Sequence, residues 1–527
     1  VLSLSRTMSR RLLIGAGLCA TGFGLDRGLD RSLSRNALAV WAAAATTIDY
    51  KFFLSGGSEE LDAMHRKVAE RLLWVCQSNG GLYIKLGQGI SALNHVLPEV
   101  YTEVLSVLQD KAECIPYAQV EQVIVRNFGA NPLELFQEFD PNPLASASIA
   151  QVHKARTKDG RIVAVKILKP HVVQQLPWDL AVYKALVYGF EKLFDIPMYW
   201  TVDYTAEHLK RELDFEMEAK NAERMSASLS NRDDCFVPAV IWEFTRKQVM
   251  TTEWVDGVKF TDVQGVKDLG LDIAKVAQTM VEVFADQIFC QGYVHCDPHP
   301  GNLLVCKGPT GRHELCVLDH GLYIEEPSEF RQQYCQLWEA MFLMDIDKLT
   351  RLCSAWGIRD AEFFASLQLF RPFKSNQVQK LDGVVTQTEA LDFQLAAKER
   401  VKEMLTTSEL IPRELLFVGR AMNLIRFNNK MVGGSVNRIR VFALAAARGA
   451  NTRRQWTAEL WFRFQLFAAG YTYRLLQLWH ATKAFITNST TNAEDTLELQ
   501  EKMLIQNQLR LRDEHKLGFK FKADQLG

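Results

Sequence analysis

The chain has 527 residues, 48% of them hydrophobic, with 61 Lys plus Arg against 62 Asp plus Glu and a formal net charge of −1. Length and apolar content imply several domain-sized units with at least one large core, which excludes a disordered chain, and the balanced charge excludes wholesale nucleic-acid binding. Ten Cys with no C-x-x-C pair and no regular spacing read as reduced thiols of a protein that is not secreted.

Residues 1–58 read as a leader. VLSLSRTMSRRLLIGAGLCATGFGL carries Arg6, Arg10 and Arg11 with no acid before Asp26; Arg31 and Arg35 follow, and the first Glu is Glu59. Arg- and Ser-rich, acid-poor composition is that of a mitochondrial transit segment. The apolar runs 12–25 and 37–48 are short for a membrane span, and membrane anchoring is the second reading of the same segment. The expected location is mitochondrial and membrane-associated.

Residues 59–130 show helical periodicity, as in EELDAMHRKVAERLLWVC and PEVYTEVLSVLQ; Pro132, Pro141 and Pro143 break the pattern, and a helical extension is expected over 59–140. A smaller β-rich lobe is expected over 141–257. SIAQVHKARTKDGRIVAVKIL predicts a hairpin around Lys158-Asp159-Gly160-Arg161, helical texture returns over 203–230, and CFVPAVIWEF and KQVMTTEWV are short β-rich runs. A helical lobe over 258–400 begins with a helix at 273–290 and contains a second hairpin, NLLVCKGPTGRHELCVLDHG, turning at Pro309-Thr310-Gly311. A C-terminal helical region, 401–527, follows. Its segment TAELWFRFQLFAAGYTYRLLQLWHATKAFI reads as a core helix pair or as an interfacial membrane helix. The fold class is α+β: a bilobal protein-kinase-like fold with an N-terminal helical extension and a helical C-terminal region.

Between the helix at 273–290 and the second hairpin stands YVHCDPHPGNLLV, in which His295, Asp297 and Asn302 match H-x-D-x-x-x-x-N. Phosphoryl transfer needs a carboxylate near the incoming nucleophile and an amide oxygen on metal, and this offset puts both on one loop. The hairpin then delivers Asp319-His320-Gly321, an Asp to bind Mg2+ and a Gly to permit the turn. Upstream, Val163-Ala164-Val165-Lys166 fits the strand lysine that neutralises nucleotide phosphates, and Glu218 in the carboxylate-rich KRELDFEMEAKNAERM is the candidate to orient it. HCDPH also admits a zinc site through His295, Cys296 and His299, or a nucleophilic Cys296, but paired ligand spacings and an activating base are not evident. No G-x-G-x-x-G precedes the VAVK strand. The place reads PLASASIAQVH, whose Ala145, Ala147 and Ala150 restrict backbone freedom. No A-P-E segment follows Asp319, so the usual platform for a peptide substrate is missing.

These residues resemble the ABC1/UbiB family of atypical kinases, the aarF-domain-containing kinases. The resemblance rests on IKLGQ, SASIAQVH, VAVK, ELDFEMEAKN, HCDPHPGN and LDHG, in that order over roughly 80–325, and within the family is greatest for the animal fifth type, with the first type as a close relative. The resemblance implies ATP (or ADP) and Mg2+ as cofactors. Lys166 would bind nucleotide with Glu218 as partner, Asp297 would be the catalytic-loop Asp, and Asn302 and Asp319 the metal ligands. The loop Ala145, Ser146, Ala147, Ser148, Ile149 and Ala150, with Val152, would cover the nucleotide, and Glu253 to Val255 would form the hinge beside its base. Lys85 and Gln88 would belong to an extension with a regulatory role, Lys85 meeting Glu212 and Asp214. The implied activity is ATP hydrolysis or phosphotransfer to a lipid or small molecule in mitochondrial lipid or quinone metabolism. Implied partners are nucleotide, a lipid or membrane surface and other mitochondrial proteins. A silent pseudokinase scaffold and a protein Ser/Thr kinase are the alternatives.

Overall fold

The structure, a computed structural model, describes residues 26–52, 58–91, 99–109, 113–194, 199–343, 345–369, 373 and 411–450. The apolar run 12–25 and the aromatic segment 457–486 lie outside the described residues. The described residues divide into two compact units: 26–219 with Ala239–Trp254, and Lys220–Pro238 with 255–450.

The first unit opens with helices α1 (Ser32–Phe52), α2 (Ser58–Asn79), α3 (Gly81–Ser91) and α4 (Glu99–Leu105). Val68, Ala69 and Cys76 of α2 pack against Ile84 of α3 and Tyr101 and Leu105 of α4, the i, i+3, i+4 stripe that the sequence displays. Within the expected leader, α1 is a packed helix: Ala39 and Ala42 bury against Val75 and Tyr83. Arg35 of α1, 3% exposed, meets Asp179 at 2.9 Å. Among the described residues no helix is long and apolar enough to cross a membrane.

Helix α5 (Tyr117–Phe128) then backs a five-stranded antiparallel sheet. Its strands are β1 (Phe136–Phe139), β2 (Ala145–Ser146), β3 (Ala150–Thr157), β4 (Ile162–Leu168) and β6 (Val249–Glu253), in the order β1-β3-β4-β6 with β2 on β3. Alternation sends Val163, Val165 and Ile167 of β4 into a core with Val120, Val123, Ile124 and Phe136. The β3–β4 hairpin closes through Gly160, whose φ of 90° suits the residue without a Cβ. The sheet begins at β1, ahead of position 141, because Phe136 and Phe139 complete that core. A long helix that the periodicity does not single out, α6 (Pro170–Phe194), carries Asp179. The helical stretch expected over 203–230 is two helices, α7 (Trp200–Arg211) and α8 (Phe215–Ser228), parted at 212–214.

The second unit has a four-stranded sheet in the order β5-β10-β9-β7, formed by β5 (Cys235–Phe236), β7 (Val258–Lys259), β9 (Leu303–Lys307) and β10 (His313–Val317). β8 (Tyr293–His295) pairs with β11 (Tyr323–Glu325). Much of CFVPAVIWEF is not strand: beyond β5 it forms a short 3-10 turn at Trp242–Phe244. Helix α9 (Ile273–Asp286) continues into a π turn at Gln287–Gln291 that ends on Gly292 at φ 73°, directly before β8. Phe289 of that turn stacks on Tyr334 of α10 (Ser328–Leu343), with centroids 5.6 Å apart. Helices α11 (Glu414–Met431) and α12 (Arg438–Gly449) come from the expected separate C-terminal region, yet they complete this core. Phe442 of α12 lies 5.9 Å from Phe289 and 5.4 Å from Trp338.

Candidate functional site

Lys166 sits on the face of the first sheet that turns away from the core, because its strand neighbours Val165 and Ile167 take the core face. The register sets Lys166 opposite Val152 and Met250, and Val152 opposite Ala145, so Ala145, Val152 and Lys166 form one row across the strands. Lys166 Nζ lies 2.6 Å from Glu218 Oε1, whose side chain is 3% exposed, and 5.1 Å from the centre of the Phe215 ring. Both partners stand in the first turn of α8. That turn is fixed by Asp214, whose Oδ1 accepts from the N–H groups of Glu216 (3.1 Å) and Met217 (3.4 Å), and by the Phe215 N–H donating to Lys247 O at 3.0 Å.

This capping role corrects one expectation. Lys85 Nζ meets Glu212 Oε2 at 2.6 Å, with the two side chains 21% and 7% exposed, but Asp214 is committed to the start of α8. Gln88, one turn on from Lys85 in α3, donates through Nε2 to Leu108 O at 3.0 Å.

The Ala-rich segment is a tight hairpin of β2 and β3, closed by the Ala147 N–H donating to Ala150 O at 2.8 Å. Its residues do not all share the Lys166 face. Ser146 turns the other way, its Oγ donating to Glu113 O at 3.1 Å, and Ser148 and Ala150 are buried. At the expected hinge, Glu253 N–H donates to Ala239 O (3.0 Å) and Trp254 N–H to Ile162 O (3.2 Å); Val255 is the first residue of its stretch of the second unit.

In the second unit β8 leads into the loop that carries Asp297. His295 is fully buried and stacks on Tyr323 at 4.9 Å; burial holds its imidazole below the usual range, so it is neutral and structural. Its Nδ1 accepts the N–H of Asp297 at 3.3 Å, and its backbone N–H donates to Gln287 Oε1 at 3.0 Å. Cys296 is buried, its Sγ 3.3 Å from Val294 O, and burial pushes its thiol up, the opposite of an activated thiolate. His299 Nδ1 accepts the Gly301 N–H at 3.1 Å. His295 and Cys296 are thus engaged in holding the loop's conformation rather than converging with His299 as zinc ligands.

The loop and the second hairpin bring Asn302 and Asp319 together. Leu318 N–H donates to Asn302 O at 2.9 Å, and Val317 pairs with Leu303. Asp319 Oδ1 accepts the Gly321 N–H at 3.1 Å, fixing the turn. His320 braces it: its ring nitrogens lie 2.9 Å from the Tyr323 hydroxyl and 3.1 Å from Val317 O. A carboxylate and a side-chain amide carried by the strand ends that this pairing joins are donor types a hard divalent cation such as Mg2+ takes. The Asn302 side chain has no hydrogen-bond partner among the described residues, which leaves its oxygen for such use.

Three residues of this half escape the sequence reading. Arg420 of α11 pairs with Asp297, Nη2 to Oδ1 at 2.9 Å. Asn428 of the same helix, fully buried, donates through Nδ2 to Pro298 O at 2.8 Å. Asn221 of α8 donates to His320 O at 2.9 Å and accepts from the Tyr293 hydroxyl at 2.6 Å. Only the Asn of EAKN has a local signal, its place inside a carboxylate-rich helix; Arg420 and Asn428 lie more than a hundred positions along the chain from the residues they touch.

The family model for the ABC1 atypical kinase-like domain matches residues 107–353. An ABC1 family protein of Schizosaccharomyces pombe is 36% identical over 449 residues, covering 83% of this chain and 83% of its own. AarF domain-containing protein kinase 1 of Xenopus tropicalis is 34% identical over 463 residues, covering 84% of this chain and 88% of its own. A Mycobacterium tuberculosis protein solved with erythromycin is 23% identical, covers 73% of this chain and all of its own, and has a TM-score of 0.43. The identity shared with the two curated relatives runs through the domain that holds both sets of candidate residues, and on that ground the chain belongs to the ABC1 family of atypical kinase-like proteins.

Proposed function

We propose that this protein binds Mg-ATP, hydrolyses it, and transfers phosphate to a lipid or small molecule rather than to a peptide. The observation that carries the reading is the Lys166–Glu218 pair: a lysine on the non-core face of a central strand, its ammonium aimed by a buried carboxylate 2.6 Å away. An ammonium held this way offers an anion a preorganised donor. Asn302 and Asp319 would hold Mg2+, which when bound neutralises charge on the phosphates. Asp297 would accept the proton of the attacking hydroxyl, in a loop whose shape His295 and Asn428 maintain. The route from Asp319 supports a non-peptide acceptor: β11 and α10 follow at Tyr323 and Ser328 with no extended platform between. Lys85, tied to Glu212, would restrain the helical extension and so set the rate.

The experiment is phosphate release from Mg-ATP by purified protein, alone and over vesicles carrying quinone precursors. The parent should turn over slowly and faster with acceptor; Asp319→Asn should be silent and Lys85→Ala should change the rate. Phosphate release from the parent no faster than from Asp319→Asn would leave a scaffold, and transfer to a peptide library would leave a protein kinase. For location we propose mitochondria, on the acid-poor, Arg-bearing start. A reporter fused behind an initiating Met and residues 1–58 should enter mitochondria; a cytosolic reporter contradicts the proposal.

A further inference from the structure

Lys169 follows β4 directly and is only 2% exposed. Its ammonium is not placed for any ligand. It donates to Ala147 O at 2.6 Å and to Glu113 O at 2.7 Å, while its backbone N–H donates to Ile149 O at 2.9 Å. Among the described residues no carboxylate forms an ion pair with it. Two of these three acceptors belong to the turn of the Ala-rich hairpin. The third lies on the strap 113–115, which reaches the sheet from the helical extension.

The strap is tied to the hairpin by two more side chains. Ser146 Oγ donates to Glu113 O at 3.1 Å, and buried Gln151 takes the Ile115 N–H on Oε1 at 2.9 Å and returns Nε2 to Ile115 O at 3.4 Å. Burying an ammonium on neutral carbonyls is costly unless its donors are satisfied, so the geometry indicates a clamp with a use. We propose that Lys169 is a positioning residue of the nucleotide site: by holding the carbonyls of Ala147 and Glu113 together, it fixes the Ala-rich hairpin in the one conformation that nucleotide meets. The proposal rests on the reading of Lys166 and the hairpin as the nucleotide-binding set. Lys169 touches no ligand itself; it acts through the backbone of Ala147 and Ile149.

The clamp carries a pH dependence. Burial lowers the Lys169 ammonium to about 8, against smaller upward effects of Cys114 and Glu113 on the strap. His171 on α6 is the other titrating group that senses it, and burial keeps that imidazole below its usual range. Above pH 8 the neutral amine retains two N–H donors and the cost of burying a charge is gone. Because the clamped state holds its proton less tightly than a solvated lysine would, linkage tightens the hairpin as pH rises through 8, and nucleotide affinity rises.

The test compares the parent with Lys169→Met and Lys169→Arg, reading KM and kcat for Mg-ATP from pH 6.5 to 9.5 and amide hydrogen exchange across 144–150 without nucleotide. In Lys169→Met the hairpin amides should exchange at least about tenfold faster, with KM raised about fivefold or more and kcat within about twofold of the parent. The parent's KM should fall through an inflection near pH 8 that Lys169→Arg lacks, since guanidinium does not titrate there. An inflection that persists in Lys169→Arg assigns the titration to another group and overturns the proposal, so the Arg variant decides the matter even if Lys169→Met does not fold. Parent-like exchange and KM in a folded Lys169→Met overturn it too, and leave the nucleotide reading standing. A parent that shows no saturable Mg-ATP dependence removes both.

Discussion

Replacing Arg420 with Met should lower the turnover of Mg-ATP about 100-fold while nucleotide affinity stays within about threefold of the parent. The reason is local to the loop. Between Asp297 and Asn302 stand Pro298, His299, Pro300 and Gly301, with no Lys or Arg, so the cation beside the Asp297 carboxylate comes from α11. Arg420 Nη2 stands 2.9 Å from Asp297 Oδ1, and the two side chains are 30% and 20% exposed, so the pair is only partly screened by water. Its guanidinium would hold the carboxylate in one orientation. Arg420→Lys keeps the charge but loses the planar fork, and should recover only part of the rate. Asp297→Asn should lose as much as Arg420→Met, and the double variant little more than either, because both changes disable one unit. Steady-state rates and binding titrations on the four proteins decide this. Full turnover in Arg420→Met beside an inactive Asp297→Asn would remove Arg420 from the chemistry.

Replacing Arg35 with Met should destabilise the first unit by about 3–5 kcal/mol, the usual loss when one partner of a buried ion pair is removed. Arg35 and Asp179 have side chains 3% and 1% exposed, and burial pushes the Asp179 carboxyl up even with the guanidinium beside it. The site is a network rather than a pair. Arg35 Nε also donates to Asn79 O at 2.8 Å, and Asn36 donates to Asp179 at 3.1 Å while accepting from the Tyr83 hydroxyl at 2.7 Å. Losing Arg35 therefore strands a carboxylate and a carbonyl at the meeting point of α1, α2 and α6. Urea unfolding followed by far-UV dichroism measures the loss; the double change Arg35→Met with Asp179→Leu should return most of it, since the buried charge is then gone. A cost below about 1 kcal/mol for Arg35→Met would show that α1 is a loosely attached leader.

Some of this is plain in the sequence, and the rest is hidden there for identifiable reasons. Both hairpins are legible because strand alternation and a turn Gly are local signals: Gly160 and Gly311 adopt positive φ where the turns are expected. Lys166 is legible because VAVK alternates, and Glu218 because α8 begins beside it with its carboxylates in the first turn. Asp214 is easily misread because a carboxylate two residues from Glu212 looks the same whether it pairs with a distant lysine or caps the following helix; only the break between α7 and α8 decides. Helix α1 reads as leader because a short Ala-rich run lacks acids at its start, and its one informative charge, Arg35, finds its partner 144 positions away. Long separations also hide Arg420 and Asn428, for which no spacing rule exists. Lys169 draws no notice because a Lys before a Pro at a strand end ordinarily reads as a solvated residue, and its burial depends on a strap that folds back from another element.

The functional reading stands or falls on whether Lys166 and the Asn302–Asp319 pair serve a magnesium nucleotide. Calorimetric titration of ATP into the parent, Lys166→Met and Asp319→Asn, each with Mg2+ and with EDTA, tests it most directly. Saturable binding to the parent is expected to weaken at least about tenfold in EDTA, to weaken comparably in Lys166→Met, and in Asp319→Asn to become indifferent to Mg2+. Binding to a folded Asp319→Asn that keeps the parent's affinity and its dependence on Mg2+, or no binding to the parent at all, would contradict it.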